Sequence, residues 1–152
     1  MSQKKELAVS ALRAGTVIDH IPARALFKAV RLLGLENCDK AVTIGSNLPS
    51  GHLGTKGIIK VADTVFPPEV LNRIAVIAPG AVVNIIEDYA VVSKQPVSLP
   101  AEIVDLVRCT NPKCVTNNQP IRTRFDVVDP AAPTLRCHYC DHEVSGDSII
   151  LK

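Results

Sequence analysis

The sequence predicts an α+β chain in two parts: an N-terminal α/β sandwich followed by a small β-rich domain that resembles a zinc ribbon. Three observations carry that expectation. In the first hundred residues, extended apolar segments alternate with segments whose apolar positions recur at helical spacing. The stretch Lys94-Gln-Pro-Val-Ser-Leu-Pro100 then sets two prolines where any strand or helix must be interrupted. Beyond it, four of the five cysteines fall between Cys109 and Cys140, while the first hundred residues hold only Cys38. The boundary is placed at Ser98, giving domains 1–98 and 99–152.

Taken in order, Leu7-Ala-Val-Ser-Ala-Leu12 is an apolar run suited to a strand, and Gly15-Thr-Val-Ile-Asp-His-Ile21 is a second extended segment. Pro22 fits the first turn of a helix, with Leu26, Phe27, Val30 and Leu33 as its apolar stripe and Gly34 as its stop. Val42-Thr-Ile44 and Gly57-Ile-Ile-Lys-Val-Ala62 read as strands joined by the loop Asn47-Leu-Pro-Ser-Gly51. Pro67-Pro68 opens a second helix whose buried face is Val70, Leu71, Ile74 and Ile77, and Pro79-Gly80 ends it. Val82-Val-Asn-Ile-Ile86 and Ala90-Val-Val92 close the unit as a hairpin. Strand, helix, strand, strand, helix, strand is the split βαβ, or ferredoxin-like, order.

Composition excludes several classes. With 47% apolar and 21% charged residues among 152, the chain is neither disordered nor collagen-like. Aromatic residues at 3% and no Trp leave almost nothing from which to build a stacking surface for single-stranded nucleic acid. The net charge is only +2, and the part after Ser98, with 6 basic and 7 acidic residues, is slightly negative, against nucleic acid as a partner. No apolar run approaches the ~20 residues of a membrane helix, and Met1-Ser-Gln-Lys-Lys-Glu6 has no signal-peptide core behind it. The expectation is a cytoplasmic protein with no membrane partner. In that reducing compartment the cysteines are read as metal ligands rather than as disulfides.

Cys109-Thr-Asn-Pro-Lys-Cys114 and Cys137-His-Tyr-Cys140 are two tight pairs separated by 22 residues. Two such turns, each presenting two thiolates, suit a tetrahedral Zn²⁺, with a redox dithiol as the lesser alternative. Four cysteines leave no open position for water, so the site is structural, not catalytic. A domain of about 50 residues rarely offsets its chain entropy with its own core, and without zinc this one should unfold. His138 and His142 lie beside the second pair and are read as neighbours of the ion, not ligands.

Elsewhere, Asp19-His20 invites a general-base reading, but no nucleophile accompanies it, and consecutive residues of a strand point to opposite faces. Binding is the better functional use, with one side chain for a ribose hydroxyl and the other for a phosphate; an ordinary polar pair at a strand end is the equal alternative. Gly51-His-Leu-Gly-Thr-Lys-Gly57 lacks the Walker spacing and its Gly-Lys-Ser/Thr ending, so it is no phosphate loop. Lys60 faces away from Ile59 and Val61, and Lys94 follows Ala90-Val-Val92; each is ordinarily a solvated strand charge, but if they converge on one anion the two could anchor a triphosphate. Cys38 is read as a free thiol.

Thr16-Val-Ile-Asp-His-Ile-Pro22, Thr43-Ile-Gly-Ser-Asn-Leu-Pro-Ser-Gly51, Ile59-Lys-Val61, Ala78-Pro79, Val83-Asn84, Tyr89 and the two cysteine pairs together resemble the regulatory chains of aspartate carbamoyltransferase. The resemblance runs through essentially the whole chain. It implies a non-catalytic subunit whose N-terminal domain binds nucleoside triphosphates (CTP and ATP, with UTP a further candidate) and whose zinc domain docks on the catalytic chain. It also implies a regulatory dimer, three of which join two catalytic trimers in a heterododecamer that controls pyrimidine biosynthesis. Carried over by position, the nucleotide pocket is Val9, Ala11, Leu12, Asp19, His20, Lys60, Asn84, Ile86, Tyr89, Val91 and Lys94. Asp19 would take the ribose, Lys94 and His20 the phosphates, and Lys60 the ribose and base edge; backbone near Leu12, Ile86 and Tyr89 would read the base. Asn111, Asp141 and His142 stand at catalytic-chain contacts. Three positions depart from the pattern: Ser10 replaces an acidic residue, Glu6 stands where a base would help a second nucleotide or metal, and Lys113 replaces a neutral amide.

Overall fold

A computed structural model describes residues 12–51 and 54–152. Glu6, Val9, Ser10, Ala11 and most of the expected strand Leu7–Leu12 lie outside the described residues; Leu12 itself is irregular. The chain divides into two compact units, the first ending at Val97 and the second beginning at Ser98.

The first unit is built on β1 (Gly15–Pro22), α1 (Leu26–Leu32), β2 (Val42–Ser50), β3 (Gly54–Ala62), α2 (Pro68–Arg73), β4 (Val82–Glu87) and β5 (Ala90–Pro96). Its sheet has the order β2-β3-β1-β4-β5, every neighbouring pair antiparallel. The first four strands have the ferredoxin-like arrangement, and β5 extends the sheet by one hairpin. One face of the sheet is the core: Ile18 of β1, Ile59 and Val61 of β3, and Val83 of β4 are buried together with Leu26 and Ala29 of α1 and Ile74 just after α2. Thr16 is also buried there, its hydroxyl donating to the Thr64 carbonyl at 2.6 Å, so the polar group is not left unmet.

Three local differences from the expected elements have simple causes. Pro22 ends β1 with extended φ and ψ and leads into a 3-10 turn, Ala23–Ala25, so the α-helix begins only at Leu26. The buried stripe is Leu26 and Ala29 of α1 with Leu33 at its C-cap, whereas Phe27 is 62% exposed because it lies one position round from that stripe. The expected loop Asn47–Gly51 is mostly strand: β2 runs to Ser50 and, after a register shift between Gly45 and Leu48, continues to pair with β3. Gly34 does end the helical segment, at φ +67°, the left-handed conformation that glycine tolerates best. Gly57 is required for a different reason. A Cβ there would stand 2.8 Å from Leu26 Cδ1, so glycine lets α1 settle onto β3.

The second unit is all strand and turn: β6 (Glu102–Val104), β7 (Val107–Arg108), β8 (Arg124–Asp129), β9 (Thr134–Cys137), β10 (Glu143–Ser145) and β11 (Ile150–Leu151). They form a four-stranded sheet, β10-β9-β8-β6, and a two-stranded one, β11-β7. Ile103, Val107, Phe125, Leu135, Val144 and Ile149 make a small buried core beside the cysteines. Among the described residues no helix is long and apolar enough to cross a membrane.

Candidate functional site

Antiparallel pairing places directly opposed side chains on the same face of a sheet. Val17 opposes Lys60 on one side and Asn84 on the other; Lys60 opposes Thr43, and Asn84 opposes Lys94. Lys60, Val17, Asn84 and Lys94 therefore form one row across four strands, on the face turned away from the helices. Asp19 lies two residues from Val17 on that same face. At the other end, Gly15 pairs with Ile86, Ile86 pairs with Val91, and the Tyr89 amide donates to the Arg13 carbonyl at 2.8 Å. The described candidates thus fall in sequence along β1: Leu12, Ile86, Tyr89 and Val91 at one end, Lys60, Asn84 and Lys94 in the middle, Asp19 and His20 at the other.

Two bulges decide this arrangement. Strict alternation from Lys94 would put Val92 on its side of the sheet, but the register shift opposite Ile85 and Ile86 makes Val91 the partner of Ile86 and brings Val91 round instead. Tyr89 sits in the two-residue turn with Asp88, at φ +65° and +49°, the geometry of a tight hairpin with right-handed twist. The residue is 69% exposed. In β1 a second shift, between Ile18 and Ile21, carries His20 at φ +60°. The alternation expected of Asp19 and His20 is broken there, and the His20 amide turns back to donate to Asp19 Oδ1 at 2.7 Å.

Lys56 is the residue that sequence reasoning missed. Its Nζ stands 2.8 Å from Asp19 Oδ1 and 3.1 Å from Oδ2, with both side chains only about one-fifth exposed (20% and 22%). Partial burial pushes the Asp19 carboxyl up, but the Lys56 hydrogen bond, the His20 amide and the nearby positive charge outweigh it and hold the group below the ordinary carboxylate range. Lys60 is shifted the other way: burial makes its ammonium easier to deprotonate, with the Asp19 charge opposing. The face turned away from the helices thus carries Lys56, Lys60 and Lys94 against the one carboxylate of Asp19, which Lys56 pairs, a field that favours a polyanion.

In the second unit, the Sγ atoms of Cys109, Cys114, Cys137 and Cys140 all lie within 4.8 Å of one another. The Cys109–Cys140 separation is 3.6 Å and the Cys114–Cys137 separation 3.7 Å. Ligands at ~2.3 Å from a tetrahedral ion are about 3.8 Å apart, so the cage already has the size of a zinc–thiolate site. Burial pushes the Cys109 and Cys137 thiols up. Burial acts on Cys114 too, but the Thr116 hydroxyl, 3.1 Å from its sulfur, and the Thr116 amide bring it down to about 7. Four clustered thiols resist ionising together, and a dication supplies the missing charge.

The knuckles are tied by amide side chains the sequence reading passed over. Asn117 Nδ2 donates to the carbonyls of Cys109 and Asn111, each at 2.8 Å, and Asn118 Nδ2 donates to those of Cys114 and Pro112 at 2.8 and 3.1 Å. The signal in the sequence is the Asn117-Asn118 pair three residues beyond Cys114. His142 Nε2 is 2.8 Å from the Thr110 hydroxyl, linking the first knuckle to the residues that follow the second. His138 instead packs edge-on to Tyr139.

A sheet with an open, lysine-bearing face and a separate unit closed around four thiolates define a two-unit, metal-binding protein. The family model for the allosteric domain of the aspartate carbamoyltransferase regulatory chain matches residues 7–98, and that for its metal binding domain matches residues 101–150. An aspartate carbamoyltransferase regulatory chain of Porphyromonas gingivalis is 55% identical over 149 residues, covering 98% of this chain and 99% of its own length. One of Parabacteroides distasonis is 51% identical over 150 residues (99% and 97%), and one of Proteus mirabilis 42% over 151 (99% and 99%). The chain belongs to the aspartate carbamoyltransferase regulatory chain family, a non-catalytic subunit with an allosteric and a metal-binding domain.

Proposed function

We propose that residues 1–98 bind nucleoside triphosphates, CTP and ATP foremost and UTP as a further candidate, and that residues 99–152 hold one structural Zn²⁺ and dock on the catalytic chain. The observation that carries the first half is the cross-strand row of Lys60, Asn84 and Lys94 with Asp19 beside it. Strands are about 4.8 Å apart, so the two lysines of the row are separated by about 14 Å at their Cα atoms and their side chains can close on a ligand lying between them. Asp19 takes the ribose, Lys94 and His20 the phosphates, and Lys60 the ribose and base edge. Backbone near Leu12, Ile86 and Tyr89 reads the base, Val91 lines that end, and Val9 and Ala11, outside the described residues, complete the pocket. Lys56 fixes Asp19 as an ionised acceptor.

The second half rests on a cage of zinc dimensions in a unit of few buried apolar residues. Asn111, Asp141 and His142, on the two knuckles, meet the catalytic chain. The assembly is a heterododecamer of three regulatory dimers and two catalytic trimers, in the cytoplasm, controlling the first committed step of pyrimidine biosynthesis. Whether a nucleotide activates or inhibits depends on its differential affinity for two quaternary states. Reconstitution tests the whole reading: the zinc-loaded chain should co-elute with catalytic trimers and make their activity respond to CTP and ATP. A fragment beginning at Leu99 should keep co-elution and lose the response. A nucleotide response conferred by that fragment would place sensing in the zinc domain and refute the assignment.

A further inference from the structure

The helix layer of the first unit leaves part of its sheet uncovered. α2 has six residues and is about 9 Å long at 1.5 Å per residue, whereas the six residues of β4 span about 20 Å. No residue of α2 is fully buried. On β1 Thr16 is completely buried, yet Ile85, its partner on β4, is only half-buried, and so is Ser93, the partner of Ile85 on β5. The space left there is a cavity of about 250 Å³ within the first unit, lined by Phe66 and Leu71 from the helical side and by Val83, Ile85, Ser93 and Gln95 from the sheet.

This cavity and the lysine row lie on opposite faces of the same strands. Val83 and Ile85 flank Asn84 along β4, and Ser93 and Gln95 flank Lys94 along β5, so alternation sends the two sets to different sides. The linings also differ in character. Among the described residues no Lys, Arg, Asp or Glu lines the cavity. Its polar groups are the Ser93 hydroxyl and the amides of Asn72 and Gln95, all of them neutral, and a side-chain amide offers a donor and an acceptor side by side. An ion brought against these walls would lose hydration and meet no counter-charge. Apolar walls with a few neutral polar groups are the usual make-up of a small-molecule site. The volume falls below the ~300 Å³ at which sites for drug-sized ligands begin, so it suits a single ring and not a nucleotide.

We propose that this cavity binds a small, uncharged, flat compound of one ring carrying an amide-like edge. Phe66, Leu71, Val83 and Ile85 hold the ring, and the edge exchanges hydrogen bonds with Ser93 and Gln95, two residues apart on β5 and therefore on one face of it.

The test uses the full zinc-loaded chain, benzamide as the probe and nuclear magnetic resonance as the readout. In titrations to about 50 mM, benzamide should move the methyl signals of Leu71, Val83 and Ile85 saturably, with a dissociation constant of about 1–10 mM, the range open to so small a ligand. Benzoate, of the same size but ionised at pH 7, should bind at least tenfold more weakly. Ser93→Trp, which sets an indole into the cavity from an edge strand that accepts aromatic residues, should abolish the benzamide shifts while the amide signals of β1 and β3 and the zinc content stay unchanged. Gln95→Leu, at an exposed position, leaves the cavity open and should weaken benzamide about two- to tenfold, the scale of one lost hydrogen bond; it decides the matter if Ser93→Trp fails to fold. Methyl signals unmoved by benzamide, benzoate bound as tightly as benzamide, shifts retained in folded Ser93→Trp protein, or affinity unaltered in Gln95→Leu would each overturn the proposal.

Discussion

Lys94→Ala is the most direct probe of the proposed nucleotide site, and its size can be worked from the sheet. Lys94 stands on the edge strand β5 opposite Asn84, and its side chain is exposed, so its ammonium surrenders little hydration when it meets a phosphate. A unit charge pair at 4 Å with an effective dielectric near 20 is attracted by roughly 4 kcal/mol before desolvation and screening. Net charge-assisted contacts retain about 1–3 kcal/mol, a loss of roughly 5- to 150-fold in affinity. Lys60 lies three strands away, about 14 Å at the Cα and beyond a Debye length of about 8 Å, so removing Lys94 relieves little repulsion that could mask the loss. Calorimetry of triphosphate binding to the zinc-loaded chain should show the weakening and a shallower dependence on salt. An exposed edge-strand substitution should change stability by less than about 0.5 kcal/mol, which thermal unfolding would verify. Unchanged affinity in a folded variant would remove Lys94 from the site and leave the row without its phosphate anchor.

Three further outcomes are expected. Because burial lowers the proton affinity of Lys60, triphosphate affinity should fall on the alkaline side at a lower pH than an unperturbed lysine would give, with proton uptake on binding detectable by calorimetry in buffers of different ionisation heat. Lys56→Met should destabilise the first unit by about 1 kcal/mol at pH 7, a figure discounted for the partial exposure of the pair. The Asp19 carboxyl is held low in the fold, so its contribution is present above the ordinary carboxylate pKa and lost as pH falls through the folded value. Urea unfolding should therefore show the mutant and wild-type curves converging only as pH falls below the ordinary carboxylate range. Stripping the metal with a chelator, or Cys140→Ser, should unfold the second unit, visible as loss of dispersed amide signals from β8 and β9, while those of β1 and β3 persist.

Much of the candidate site was legible because its parts are chemically unusual. Four cysteines in two tight pairs announce a metal cage whatever the fold, and Asp19, His20, Lys60 and Lys94 stand out as charges in apolar strands. What escaped notice was contextual. Lys56 sits in a glycine-containing stretch without the spacing of a phosphate loop, and its pairing with Asp19 falls where a bulge shifts the register of β1 against β3. Phe27 looked like core because helical periodicity counts apolar residues without saying which stripe meets the sheet.

By itself the sequence carried the alternation of strands and helices between Gly15 and Pro96 and the two tight cysteine pairs of the second unit. Each of these is written in local spacing, turn residues or residue chemistry. Only the tertiary structure decided which side chains share a face. Val17 lies far along the chain from Lys60, Asn84 and Lys94, and backbone hydrogen bonds between four strands align them in one row. With a side-chain period of two, a shift of one residue in any pairing would send a lysine to the opposite face. The bulges that turn Val91 and His20 are such shifts, and they are settled by the pairing of whole strands, not by the residues that carry them.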